Sequence, residues 1–314
     1  MTSRLLPWVL LAATSGLHAQ PVASASKPAA PATFQIGPAE SYDVSKLPDD
    51  AYGQAVRYGK ELTDRTFAYI GPEVKNPKMR YAGNNLACAS CHQASGTKKF
   101  AIPWVGAHAT FPQYRGREDA ISTLEERVNG CMERSMSGKA LPFDSKEMKA
   151  FVTYMHFLSR NVPVGAKVEG QGLPAFKAPN RRADTVAGGQ TYQAKCSACH
   201  GVNGAGIRAG APGSATGYTF PPLWGKDTFN HGAGMNRLLT ASAFIKANMP
   251  LGRGGTLSDQ DAWDVAKYIN AQERPQDPRY TGDLAETRTR FHDSPHSLYG
   301  LVVEGRRLGA NPSR

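Results

Sequence analysis

The sequence predicts an all-α fold of two similar units in tandem, and three observations lead there. A five-residue motif occurs twice, as Cys88-Ala89-Ser90-Cys91-His92 and as Cys196-Ser197-Ala198-Cys199-His200, 108 positions apart. Segments with helical apolar spacing flank both copies, and a Pro- and Gly-rich stretch lies between them. The chain has 314 residues, 40% hydrophobic and 20% charged, enough for a core in each unit, which excludes general disorder. Its 32 Gly and 22 Pro follow no Gly-X-Y period and indicate loops, not a fibre.

Taken in order, Arg4, the apolar stretch Leu5 to Thr14 and the small-residue site Leu17-His18-Ala19 read as a signal peptide over residues 1–19, cleaved near Ala19. The stretch is about ten residues long where a spanning helix needs about twenty, so no membrane anchor is expected in the mature, periplasmic chain. Residues 20–40, rich in Ala, Pro and Ser, read as a flexible lead-in. The first unit, 41–160, is expected to hold a helix from Asp49 to Tyr69, then the first motif, then helices over Arg117–Ser137 and Ser145–Leu158. Residues 161–183, with Pro163, Gly165, Gly170, Gly172, Pro174 and Pro179, read as a linker. In the second unit, 184–274, Val186 to Lys195 leads into the second motif. Leu257 to Glu273 closes that unit, with Ser258 as N-cap and Asp261 in the capping-box position. The extension 275–314 has no clear period and is expected to wrap over the first unit, and almost no strand is expected anywhere.

C-x-x-C-H is the signature of covalent c-type haem attachment. Two thiols three residues apart at a helix start reach both vinyl groups of one porphyrin, and the adjacent His becomes the proximal iron ligand. At this composition one chance match is expected about two times in a thousand, so two matches exclude coincidence. A thioredoxin-like pair would not need the His twice, and the pairs are too far apart for a zinc ribbon. The chain is therefore expected to carry two covalently bound haem c groups in cytochrome c-like domains. One is held by Cys88, Cys91 and His92, the other by Cys196, Cys199 and His200. The formal charge of +11 contains no basic block of five residues, so nucleic acid is not an expected partner.

The second axial position separates electron carriers from catalysts. In the second unit, Met249, in Asn248-Met249-Pro250 and 49 residues after His200, is the expected ligand, with Met235 as its competitor. In the first unit no Met sits in such a loop. Cys131, the odd thiol, follows His92 by 39 residues. It reads as a ligand or reactive thiol, with a small buried hydrophobe as the simpler alternative and His108 as another ligand candidate. On a helix, Arg127, Cys131 and Ser135 share one face.

Five stretches together resemble the dihaem thiosulfate dehydrogenases. They are the first motif, Phe111 to Tyr114, Arg127 to Lys139, Pro221 to Gly225 and Asn248 to Pro250. The resemblance covers nearly the whole mature chain and is most specific around Cys131. It implies that His92 and Cys131 ligate an active-site haem, that His200 and Met249 ligate an electron-transfer haem, and that Arg117, Arg127 and Ser135 form the substrate pocket. Some members carry Lys before the Met and exchange the two; Asn248 stands there in this chain. The implied reaction joins two thiosulfates into tetrathionate, reversibly, with electrons passing from the His/Cys haem to the His/Met haem and on to an external acceptor such as a soluble c-type cytochrome. A non-catalytic dihaem carrier, and a cysteine-ligated cytochrome of a multi-protein thiosulfate-oxidising system, are the alternatives.

Overall fold

The computed structural model describes residues 33–313, so the expected signal peptide and most of the lead-in lie outside the described residues. Seven helices of eight or more residues carry the architecture among those described. They are α1 (Ala51–Asp64), α2 (Leu124–Arg134), α3 (Lys146–Ser159), α4 (Thr185–Lys195), α5 (Leu238–Asn248), α6 (Asp259–Asn270) and α7 (Leu284–Phe291).

Each unit is organised by one close helix crossing, α1 on α3 in the first and α4 on α6 in the second. Glycine makes both crossings. A Cβ built on Gly59 would lie 2.2 Å from the Ala150 carbonyl oxygen and 2.6 Å from Tyr154 Cβ. One built on Gly188 would lie 2.1 Å from the Asp264 carbonyl oxygen and 2.9 Å from Tyr268 Cβ. The same device, Gly on the entering helix against Tyr on the closing helix, recurs in both units, which gives the tandem motifs a common scaffold. Around the first crossing Val56, Leu62, Met148, Phe151 and Tyr154 are buried; around the second, Tyr192, Ala262, Val265 and Ala266.

Sequence signals set the helix ends. The Ser145 hydroxyl accepts from Met148 N at 3.1 Å, and Ser258 and Asp261 form the reciprocal capping box expected for α6. The expected helix from Asp49 to Tyr69 breaks at Arg65, and a short second helix, Thr66–Ile70, follows. The break places the Thr66 hydroxyl where it accepts from Cys88 N at 3.0 Å and so fixes the start of the first motif.

Four expectations need correction. Residues 117–123 are not helical: Gln113–Arg115 pairs antiparallel with Ala120–Ser122, and α2 begins only after Thr123, whose capping box with Glu126 sets the boundary. The lead-in is ordered at its end, where Thr33–Phe34 pairs in parallel with Lys167–Val168 and Ile36 is buried. The segment expected as a linker is packed for half its length: Val162, Ala166 and Val168 are buried in the first core, and Ile102 N donates to the Gly172 carbonyl at 3.0 Å. The extension lies against the second unit, not the first. Leu298 and Leu308 share an apolar cluster with Leu238 and Trp263, and Leu238 N donates to the His296 carbonyl at 2.9 Å. Among the described residues the strand content is four two-stranded ladders of two or three residues, close to the near-absence expected.

Polar bonds tie the units together. Arg208 grips Glu73 through two bonds of 2.8 and 3.1 Å, Asn85 N donates to Asp227 at 2.9 Å, and Asn248 Nδ2 donates to the Phe100 carbonyl at 2.9 Å. No helix among the described residues is long and apolar enough to cross a membrane.

Candidate active site

Two cavities open beside the two motifs. The first, about 240 Å³, is lined by Cys88, Cys91 and His92 from the motif, by Arg127, Cys131 and Ser135 from α2 and its end, and by apolar residues including Trp104 and Phe151. The second, about 550 Å³, is lined by Cys196, Cys199, His200, Met249 and apolar residues including Phe244 and Val265.

The histidines show what these cavities are for. His92 Nδ1 lies 2.6 Å from the Ile102 carbonyl oxygen, and His200 Nδ1 lies 2.8 Å from that of Pro221. A carbonyl only accepts, so Nδ1 carries the proton in each ring and Nε2 keeps its lone pair for a metal. In both units the accepting residue precedes a proline, Pro103 or Pro222, so the repeat extends to the group that orients the histidine. The five cysteines form no disulfide, and the described residues gather no cluster of three or more His, Cys, Asp or Glu that could hold a metal on its own. Paired thiols, an oriented imidazole and an apolar cavity fit a covalently attached porphyrin at each motif.

Asp64, Lys98 and Lys195 reach the lining of the second cavity; what sets the first apart is a guanidinium paired with a free thiol. Arg127, one turn before Cys131 on α2, donates from Nη1 to Cys131 Sγ at 2.9 Å. Burial opposes ionisation of this thiol, yet the Arg127 guanidinium beside it holds its pKa below the ordinary thiol value. The thiolate in turn raises the pKa of Arg127. The cavity thus holds a soft anion and a fixed cation side by side, and the remaining Arg127 donors have no partner in the described protein. Ser135, at the end of α2, lines the same wall.

Arg117 is placed differently. It lies in the turn between the two strands after the motif and does not line the cavity; its Nη2 donates to the Gly232 carbonyl of the second unit. Its Nε is buried without a partner. Burial, and then the like charges of Arg134, Arg237 and Arg279, pull its pKa down to about 9. An arginine that the sequence did not single out, Arg115, does line the first cavity. His108 packs edge-on against His156 at 4.9 Å and is not part of the cavity wall. In the second cavity Met249 and Met235 both reach the lining, but Met235 also lines the first.

The two cavities share a wall. Leu86, Ala87, Cys91, Phe229 and Met235 face both. Phe229 and Met235 come from one loop of the second unit, which sequence reading missed because nothing local in Thr228 to Asn236 marks it as part of the first unit's site.

Comparison with known proteins agrees with this construction. Residues 79–164 match the family described as SoxA/TsdA, cytochrome c domain, and residues 183–269 match the family described as cytochrome C oxidase, cbb3-type, subunit III. The chain is 41% identical over 319 aligned residues to the thiosulfate dehydrogenase of Thiomonas intermedia, covering 98% of each chain. It is 42% identical to that of Stutzerimonas stutzeri, covering 87% of each. It also superimposes on the thiosulfate dehydrogenase TsdBA of Marichromatium purpuratum with a TM-score of 0.78 at 36% identity, covering 88% of this chain and 57% of that longer one. Two tandem cytochrome c domains with two covalently bound haems, aligned end to end with these relatives, place the chain in the thiosulfate dehydrogenase family.

Proposed function

We propose that the chain oxidises two thiosulfates to tetrathionate at the first cavity and passes two electrons through the second to an external acceptor. The observation that carries this reading is the Arg127–Cys131 pair, a guanidinium bonded to a sulfur at 2.9 Å on the wall that also holds His92.

Two dianions 4 Å apart repel by about 4 kcal/mol even in water, and more in an apolar cavity, so fixed cations are required. Arg127 offers a planar fork suited to sulfonate oxygens, Ser135 adds a hydroxyl, and Arg117 adds positive charge from the adjoining arginine group. Cys131 and His92 are the residues that would hold the first haem iron; His200 and Met249 would hold the second. When bound, the haems would supply one-electron acceptance, with Cys131 as a thiolate donor favouring the lower potential at the first site. Cys131 also supplies a nucleophile. Its thiolate bonds to the sulfane sulfur of one thiosulfate as two electrons leave, giving a cysteinyl thiosulfonate of charge −1. The sulfane sulfur of the second thiosulfate then displaces the thiolate, releasing tetrathionate and restoring Cys131. The electron acceptor is taken to be a small redox protein such as a soluble c-type cytochrome. The leader read at residues 1–19 and the attachment chemistry support a periplasmic location.

The test uses the full-length protein with both haems attached, thiosulfate and an artificial one-electron acceptor, with tetrathionate measured as product. Cys131→Ala should keep both haems and lose turnover. Turnover near wild type in that variant overturns the assignment.

A further inference from the structure

The extension carries a buried polar cluster that the proposed reaction does not use. Asp277 accepts from Arg279 Nε at 3.0 Å and Nη2 at 2.7 Å, and from His292 Nε2 at 2.8 Å. His292 Nδ1 accepts from the Ser297 hydroxyl at 3.1 Å, and its ring stacks on Tyr299 at 4.2 Å. Ser297, His292 and Asp277 have the order of a hydrolytic triad, but their exposures of 1%, 5% and 1% leave a substrate no approach. A closed cluster of this kind holds something in place.

What it holds is the loop of the second unit that reaches the first cavity. Gly232 lies directly on Asp277: a Cβ built on it would be 2.8 Å from both Cγ and Oδ1 of that carboxylate. The Gly232 carbonyl is the acceptor for Arg117. Two residues earlier, Asn230 donates from its backbone N to the Arg134 carbonyl at 3.1 Å and from Nδ2 to the Glu133 carbonyl at 2.8 Å. Those carbonyls end the helix that bears Cys131. The loop therefore holds the last turn of α2 and the Arg117 guanidinium together. Arg117 also needs holding, because Arg134, Arg237 and Arg279 all repel it.

We propose that the extension is a positioning element for substrate binding: Asp277, clamped by Arg279 and His292, supports Gly232, and Gly232 sets where the Arg117 guanidinium stands. The inference rests on the reading of Arg117 as an anion-binding residue. A methyl group at position 232 overlaps the carboxylate, so the clamped side chain or the loop must shift, and either loosens their contact; Asp277→Asn weakens the clamp behind it with little change in volume.

Steady-state kinetics on the full-length dihaem protein, with thiosulfate varied at saturating acceptor, tests it. Arg117→Ala serves as reference, and its KM for thiosulfate should rise. Gly232→Ala and Asp277→Asn should each raise KM about tenfold, with kcat changed less than about twofold and both haem spectra retained. Because Gly232 acts through Arg117, the Gly232→Ala/Arg117→Ala double variant should be no worse than Arg117→Ala alone. A wild-type KM in both clamp variants beside a raised KM in Arg117→Ala overturns the proposal, as does strict additivity in the double variant. An unchanged KM in Arg117→Ala overturns the reading of Arg117 and the proposal with it. Should Asp277→Asn fail to assemble, Gly232→Ala and the double variant decide.

Discussion

Replacing Arg127 by Met keeps most of the side-chain volume and removes one thing, the guanidinium that donates to Cys131 Sγ at 2.9 Å. The donor is cationic and the site is buried, so the bond belongs to the charge-assisted class worth about 1.5–3 kcal/mol. If a thiosulfate oxygen takes up the free donors of the same fork, at least one bond of that class is lost along the reaction. At about 1.4 kcal/mol per factor of ten, kcat/KM for thiosulfate falls about 10- to 150-fold. Arg127→Lys keeps the charge but not the fork and should recover part of the loss. The assay is initial rate against thiosulfate at saturating acceptor, on preparations shown to carry two haems per chain. A kcat/KM within about threefold of wild type for Arg127→Met means that the arginine merely neutralises the thiolate and that the anion is held elsewhere.

Three further outcomes are expected. Met249→Ala should lower the potential of the second haem alone in a redox titration, whereas Met235→Ala, whose side chain lies on the shared wall, should leave that potential in place. Gly188→Ala puts a methyl group against the Asp264 carbonyl and should destabilise the second unit by about 1–3 kcal/mol, seen as a lower apparent Tm. Burial would raise the Asp277 carboxyl, but His292 and Arg279 hold it well below the usual carboxylate range. Its contribution is therefore present above the unfolded pKa of about 3.9 and lost as pH falls below it, so denaturant midpoints should drop on acidification, with a shallower drop in Asp277→Asn.

The parts of the site legible in the sequence are those that a few neighbouring residues encode. The two C-x-x-C-H motifs, the Ser145 and Ser258 caps and the common face of Arg127, Cys131 and Ser135 all depend on spacings of three to five residues; the structure puts the motifs on the cavity walls, the caps at the helix starts and the three side chains on one wall. The second strand of the hairpin was hidden because Ala120, Ile121 and Leu124 prolong the apolar spacing of the helix expected over Arg117–Ser137, although Thr123-x-x-Glu126 marked the true helix start. Arg117 resembled a helix-face residue for the same reason. The position of Phe229 and Met235, the packing of 162–172 and the seat of the extension rest on contacts between residues more than fifty positions apart, or between surfaces without a period. Composition and periodicity carry no record of these.

The wall common to the two cavities bears on how freely this chain can be taken apart or recombined. A Pro- and Gly-rich connection between two haem domains invites the view that they are interchangeable modules, to be cut at the junction and expressed or exchanged singly. Phe229 and Met235 contradict that view, since the first cavity is closed by side chains encoded more than sixty residues beyond its own last helix. A fragment ending near residue 172 would keep Cys88, Cys91 and His92 of the first motif, yet expose the side of its cavity where Cys91 stands. The unit of inheritance for this activity is accordingly the pair, and a domain grafted from a plain cytochrome would have to bring the loop as well as the haem.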